Sequence, residues 1–214
     1  MGKKYEFTGE TKDWCGITLK RIRAVRDFTL KSGIKVVRGN WGGWIEKEEN
    51  LSHSDSAWVY GDARVYGNAE VYGDARVYGD ARIYGNAWVY GSAEVYGCAE
   101  VSGDADIYGY AEVYGNAQVC GDAKVYGDAK VCGDAKVEKS SDVIWFRNNW
   151  SSGRTFTYTR SNGKWEVGCF HGTGEELIKK AYADSEMSGK CYEAIVEAVE
   201  KIYKSIEQSG KQKK

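Results

Sequence analysis

The chain has 214 residues, 27 of them glycine, 16 tyrosine and none proline, with a formal net charge of −1. That length fits one elongated domain with caps or two modest domains, and the small charge supplies no long-range field toward nucleic acid or membrane. No run reaches the roughly 18 apolar residues of a membrane span, the opening MGKKYEFTGE lacks an apolar signal core, and the missing proline argues against a long disordered linker.

Residues 1–50 read as an N-terminal β cap, with strand-like stretches KYEFT, GITLKRIRAVRDF and IKVVRGN. Lys20, Arg21, Arg23 and Arg26 are expected on a solvated face, which disfavours nucleic acid. In the junction GNWGGWIEKEENLSHS that follows, Leu51 is assigned to an alanine slot of the coming repeat and His53 to an inward valine slot. The β-helix is therefore taken as residues 51–139.

From Ala57 the chain runs AWVYGD, ARVYGN, AEVYGD and onward to AKVEKS, 14 six-residue units without an insertion. Position one is always alanine, position three valine or isoleucine, and position five glycine in all units but the last. Period-two alternation turns the alanine and valine inward and the variable residue and tyrosine outward. Glycine followed by Asp or Asn supplies the corner, since both positions tolerate positive φ. Three strands and corners close a coil of 18 residues, so the 14 units make about 4.7 coils.

Residues 18 apart then stack. Tyr60, Tyr78, Tyr96 and Tyr114 form one expected ladder, Tyr72, Tyr90, Tyr108 and Tyr126 a second, and Tyr66 and Tyr84 a third that ends in Ser102 and Cys120. Stacked tyrosines stabilise neighbouring coils or offer a binding wall of rigid amphipathic rings. Arg76 is expected to pair with Glu94, and Glu112 with Lys130. Trp58 and Trp88 interrupt a charged pattern and are the preferred contact residues, alongside the first tyrosine ladder and Arg64, Arg76 and Arg82; Trp44, His53 and His171 are secondary candidates.

Residues 140–207 read as an α+β domain. DVIWFR, RTFTYTR and KWEVGCF are three strands, Thr173 and Glu176 form a capping box for a helix to about Ala183, and a second helix runs from about Ser188 to Ile206. Its stripe Tyr192, Ile195, Val196, Val199, Ile202, Tyr203 and Ile206 packs on the strands or forms an oligomer seam. Residues 208–214 are expected as a disordered tail.

The repeat resembles the hexapeptide-repeat family, whose members form left-handed parallel β-helices; the hand comes from that resemblance. The expected fold is mainly β, a single-stranded left-handed parallel β-helix between the β cap and the α+β domain. Gly42–Glu46, Asn50–Ser52 and the VYG repeats, with Gly168–Leu177, also resemble uncharacterised bacterial, phage and prophage repeat proteins often labelled hypothetical proteins or transferases.

Known hexapeptide enzymes are acyltransferases with a histidine base beside an acyl-carrier site, often at a subunit boundary. The 14 units contain no histidine and no inserted loop, which disfavours that chemistry here. His53 and His171, far apart in sequence, do not resemble the zinc ligands of β-helix carbonic anhydrases, the corner carboxylates lack a calcium-site spacing, and the Gly-Asp corners are not a phosphate loop. Cys15, Cys98, Cys120, Cys132, Cys169 and Cys191 form no C-x-x-C pair and are expected as reduced thiols in a cytoplasm. The expected function is a non-enzymatic scaffold or interaction protein, phage- or prophage-associated and homo-oligomeric. It is expected to use no cofactor or metal, and to bind a host or phage protein or a small nucleotide through its caps or tyrosine faces. The alternatives are an acyltransferase, a virion or tail component, and a phage inhibitor of host defence that binds a protein or sequesters a nucleotide.

Overall fold

The computed structural model describes residues 2–149 and 152–211. It divides into two compact units, Met1–Ser141 and Asp142–Lys214.

The first unit opens with β1 (Tyr5–Trp14) and β2 (Ile17–Ala24), an antiparallel pair with a bulge between Phe7 and Thr11. A short pair, β3 (Phe28–Thr29) and β4 (Lys35–Val36), follows, and then β5 (Trp41–Ile45). Strand β2 pairs antiparallel with β5, and β5 pairs parallel with the repeat rung Arg64–Val65. The hairpin thus covers the edge strand that an open solenoid would otherwise leave exposed to aggregation.

The 14 units become 14 two-residue strands, β6 to β19, from Trp58–Val59 to Lys136–Val137. They stack in three parallel ladders that make a solenoid of about five coils. One face carries Arg64, Arg82, Glu100, Gln118 and Lys136; the second carries Glu70, Trp88, Asp106 and Lys124; the third carries Trp58, Arg76, Glu94, Glu112 and Lys130. Every repeat alanine and every position-three valine or isoleucine is buried, so the inward pattern read from the sequence holds. Burying one such valine contributes about 1.5–3 kcal/mol.

Backbone bonding follows the same period. Arg64 N–H donates to Ala81 O (2.9 Å), Tyr66 N–H to Ile83 O (3.0 Å) and Asn68 N–H to Gly85 O (2.7 Å). The corner is made by glycine alone. Repeat glycines have φ between 63° and 75°, whereas Cys15 is the one non-glycine residue at positive φ among those described. The Asp or Asn after glycine therefore does not share the left-handed turn. Its side chain builds a corner ladder instead: Asn68 Nδ2 donates to Asn86 Oδ1 (3.1 Å), and Asn86 Nδ2 to Asp104 Oδ1 (2.9 Å).

The register before Ala57 differs from expectation. Arg64 and Arg82 lie 18 residues apart, as do Trp58 and Arg76, but Trp44 and Arg64, and Leu51 and Val71, lie 20 apart. Leu51 therefore fills a valine slot, not an alanine slot. His53 falls within a two-residue insertion and not on an inward rung. The added length lets side chains replace absent backbone partners. Glu46 accepts from Gly67 N–H (2.7 Å), Asp55 from Gly73 N–H (2.7 Å), and Asn50 Nδ2 donates to Ala69 O (2.8 Å).

The second unit has a four-stranded antiparallel sheet, β20 (Val143–Arg147), β21 (Thr155–Thr159), β22 (Lys164–Val167) and β23 (Phe170–Gly172). The fourth strand was not expected; it forms because Gly168, at φ 62°, turns the chain back. Helix α1 (Gly174–Asp184) starts at the Thr173–Glu176 capping box. Helix α2 (Glu186–Lys211) runs past the expected end, so residues 208–211 continue it and 212–214 lie outside the described residues. Phe156, Trp165 and Val167 of the sheet pack with Leu177, Tyr192, Val196, Val199 and Tyr203 of the helices, while Ile202 and Ile206 of the stripe are exposed.

Candidate interaction surface

All the expected tyrosine ladders form. Tyr60–Tyr78, Tyr78–Tyr96 and Tyr96–Tyr114 each have ring centroids 4.9 Å apart and nearly parallel planes. The ring faces are consumed by their neighbours, so this ladder presents edges and hydroxyls outward. Those hydroxyls are also partly committed: Tyr78 Oη donates to Glu94 (3.2 Å) and Tyr96 Oη to Glu112 (3.1 Å). Burial, reinforced by those carboxylates, pushes the Tyr78 and Tyr96 phenols well above the usual tyrosine value.

The arginine candidates are absorbed by structure. Arg76 pairs with Glu94 and Arg82 with Glu100, as stacking predicts for the first pair. Glu112 pairs with Lys130 at 2.7 Å. Arg64 is buried, its guanidinium 4.2 Å from the Trp14 ring centre, because the β1–β2 hairpin lies along that face.

Trp58 is a correction. It is 2% exposed, packed against Tyr5 and with the Phe28 ring edge-on at 5.3 Å, so it anchors the cap and cannot meet a partner first. Trp88, on the second face, is 45% exposed. Trp44 is buried under Arg21, whose guanidinium lies 5.0 Å from its ring. His53 stacks on Tyr5 with centroids 4.1 Å apart, and its Nδ1 accepts from Lys4 N–H (3.1 Å). Burial lowers its pKa, with Glu48 opposing. Its ring is a packing element of the cap. In the second unit His171 pairs through Nδ1 with Glu166, its cross-strand neighbour.

The sequence reading missed the cap's own apolar surface. Ile34, Val37 and Trp41 are 49%, 46% and 54% exposed within eight residues of chain. Ile34 and Trp41 line a groove of about 210 Å³, floored by Leu30, Val36 and Trp58 and opening at Tyr60, the head of the first tyrosine ladder. Two turns fix its walls: Gly33 N–H donates to Leu30 O (2.8 Å), and Asn40 N–H to Val37 O (2.9 Å). The signal was present as an apolar residue every third or fourth position through IKVVRGNW, a spacing that serves neither a regular strand nor the repeat.

A family model described as the YdcK beta solenoid repeat matches residues 81–97. No curated protein matches the chain. The matched segment lies wholly within the regular coils, and together with the parallel ladders it marks a β-solenoid repeat protein.

Proposed function

We propose that the chain is a non-catalytic interaction protein in which the solenoid holds the cap groove rigid for a partner polypeptide. The six-residue period and the family resemblance support a place among hexapeptide-repeat proteins with left-handed winding. The observation that carries the reading is the exposure of Ile34 and Trp41 in the wall of a preformed groove, with Val37 exposed on the same stretch of chain, while the solenoid's tyrosine faces stack on one another. Clustered exposed apolar residues mark interaction sites. The partner's chemistry follows from charge. Residues 20–40 carry seven cations and one aspartate in a chain of net charge −1. Some are neutralised internally, as in Arg23 with Glu6 and Lys31 with Asp74, but Lys35, which lines the groove, and Arg38, three residues further along the chain, are in no ion pair among the described residues. An acidic segment with one aromatic or aliphatic anchor fits this surface.

Selection from a displayed random-peptide library tests it. Enriched peptides are expected to combine Asp or Glu with a bulky apolar residue and to lose binding to Trp41→Ala. Absence of enrichment, or binding of single-stranded oligonucleotides in place of peptides, contradicts the reading.

A second reading, acyl transfer, draws support from the His171–Glu166 pair, since a carboxylate on Nδ1 orients an imidazole as a general base. Acyl-CoA turnover abolished by His171→Ala would favour it over the interaction reading.

A further inference from the structure

The second unit contains a cavity of about 250 Å³ between the β22–β23 turn and the two helices. Its floor is apolar and fixed: Val167, Leu177, Ala181 and Tyr192 line it and are all buried in the unit's core. Its mouth is cationic. Arg154 comes from the segment before β21 and lays its side chain across the Gly168 turn, where a Cβ would meet its Cδ at 3.5 Å. Lys180 projects from α1, with Nζ 5.7 Å from the Phe170 ring centre. Both line the cavity, and neither is in an ion pair among the described residues. Asp184 is the single acidic side chain in the lining, which leaves the mouth one positive charge in excess.

We propose that this cavity binds a compact organic monoanion, a carboxylate whose aromatic or branched apolar body occupies the floor while Arg154 and Lys180 take the carboxylate. At about 30 Å³ per water-sized atom, the volume admits roughly eight non-hydrogen atoms. A small apolar chamber with a few convergent polar groups is the usual form of a small-molecule site. Arginine and lysine are suited to a carboxylate as a planar fork and a point charge respectively. The site is independent of the cap groove and stands or falls separately from it.

Cys169 lines the same cavity and is exposed, so its alkylation reports occupancy. Cys15 and Cys98, exposed in the other unit, serve as references within the same molecule. The full chain is treated with iodoacetamide in the presence of benzoate, phenylacetate or isovalerate, and each cysteine's labelling rate is read by mass spectrometry. At least one carboxylate is expected to slow labelling of Cys169 threefold or more while Cys15 and Cys98 are unchanged. Arg154→Gln with Lys180→Gln, both at exposed positions, is expected to raise the protecting concentration at least tenfold. Three outcomes overturn the proposal: no protection by any of the three at millimolar concentration, equal protection by benzyl alcohol, or equal protection by inorganic phosphate.

Discussion

The Lys4 ammonium donates a hydrogen bond to the Ala57 carbonyl at 2.6 Å, from a side chain with no solvent exposure. It also reaches Asp55 O at 3.1 Å. A lysine thus closes the open end of the first coil, where no preceding coil supplies backbone donors. Burial outweighs the nearby Asp55 and lowers its pKa from 10.5 to about 8.

That depression sets a pH dependence. The unfolded chain holds the proton up to pH 10.5 while the folded chain releases it near 8, so over this window unfolding takes up a proton and stability rises with pH. Between pH 8 and pH 10 the wild type is expected to gain about 2 kcal/mol relative to Lys4→Met. Urea unfolding of both proteins, followed by tryptophan fluorescence, checks it; parallel curves for the two proteins would refute the buried ammonium.

The two repeat tryptophans separate by environment. Trp58→Ala removes a ring packed under Tyr5 and Phe28 and is expected to cost about 3–5 kcal/mol. Trp88→Ala, at a half-exposed position, is expected to stay within about 1 kcal/mol of wild type. Equal midpoint shifts in urea would contradict this assignment of inside and outside.

Glycine corners are expected to differ from ordinary turns. An alanine at Gly85, φ 74°, places Cβ 2.9 Å from Gly103 N, whereas one at Gly33, φ 85°, meets nothing within 4 Å. Gly33→Ala is expected to cost about 1 kcal/mol, from backbone strain alone. Gly85→Ala adds overpacking against a neighbouring coil and is expected to cost about 3 kcal/mol. Denaturation midpoints of the two variants, both in the first unit, make the comparison.

The regular part of this fold was legible because each unit repeats the same local rule. Alanine and valine inward, tyrosine outward and glycine at the corner leave one register, and stacking at 18 residues fixed the tyrosine ladders and the Arg76–Glu94 and Glu112–Lys130 pairs in advance. What failed was where the rule is interrupted. Nothing in LSHSDS announces two inserted residues, because their role is to bring Asp55 and Lys4 onto donors and acceptors far away in sequence. Trp58 occupies a nominally outward position and was misplaced because its burial depends on Phe28, in the short β3–β4 pair of the cap, which no repeat periodicity describes. The groove was missed for the same reason: Ile34 and Trp41 converge on it through turns and not through a period.

The most direct measurement of the central claim is the affinity of a library-selected acidic peptide for the wild type, for Ile34→Ser with Trp41→Ala, and for Trp88→Ala. The account predicts that the groove variant weakens binding at least thirtyfold, that Trp88→Ala leaves it within twofold, and that affinity falls as salt rises. Unchanged binding to the groove variant, or loss confined to Trp88→Ala, would place the partner elsewhere on the molecule and contradict the account.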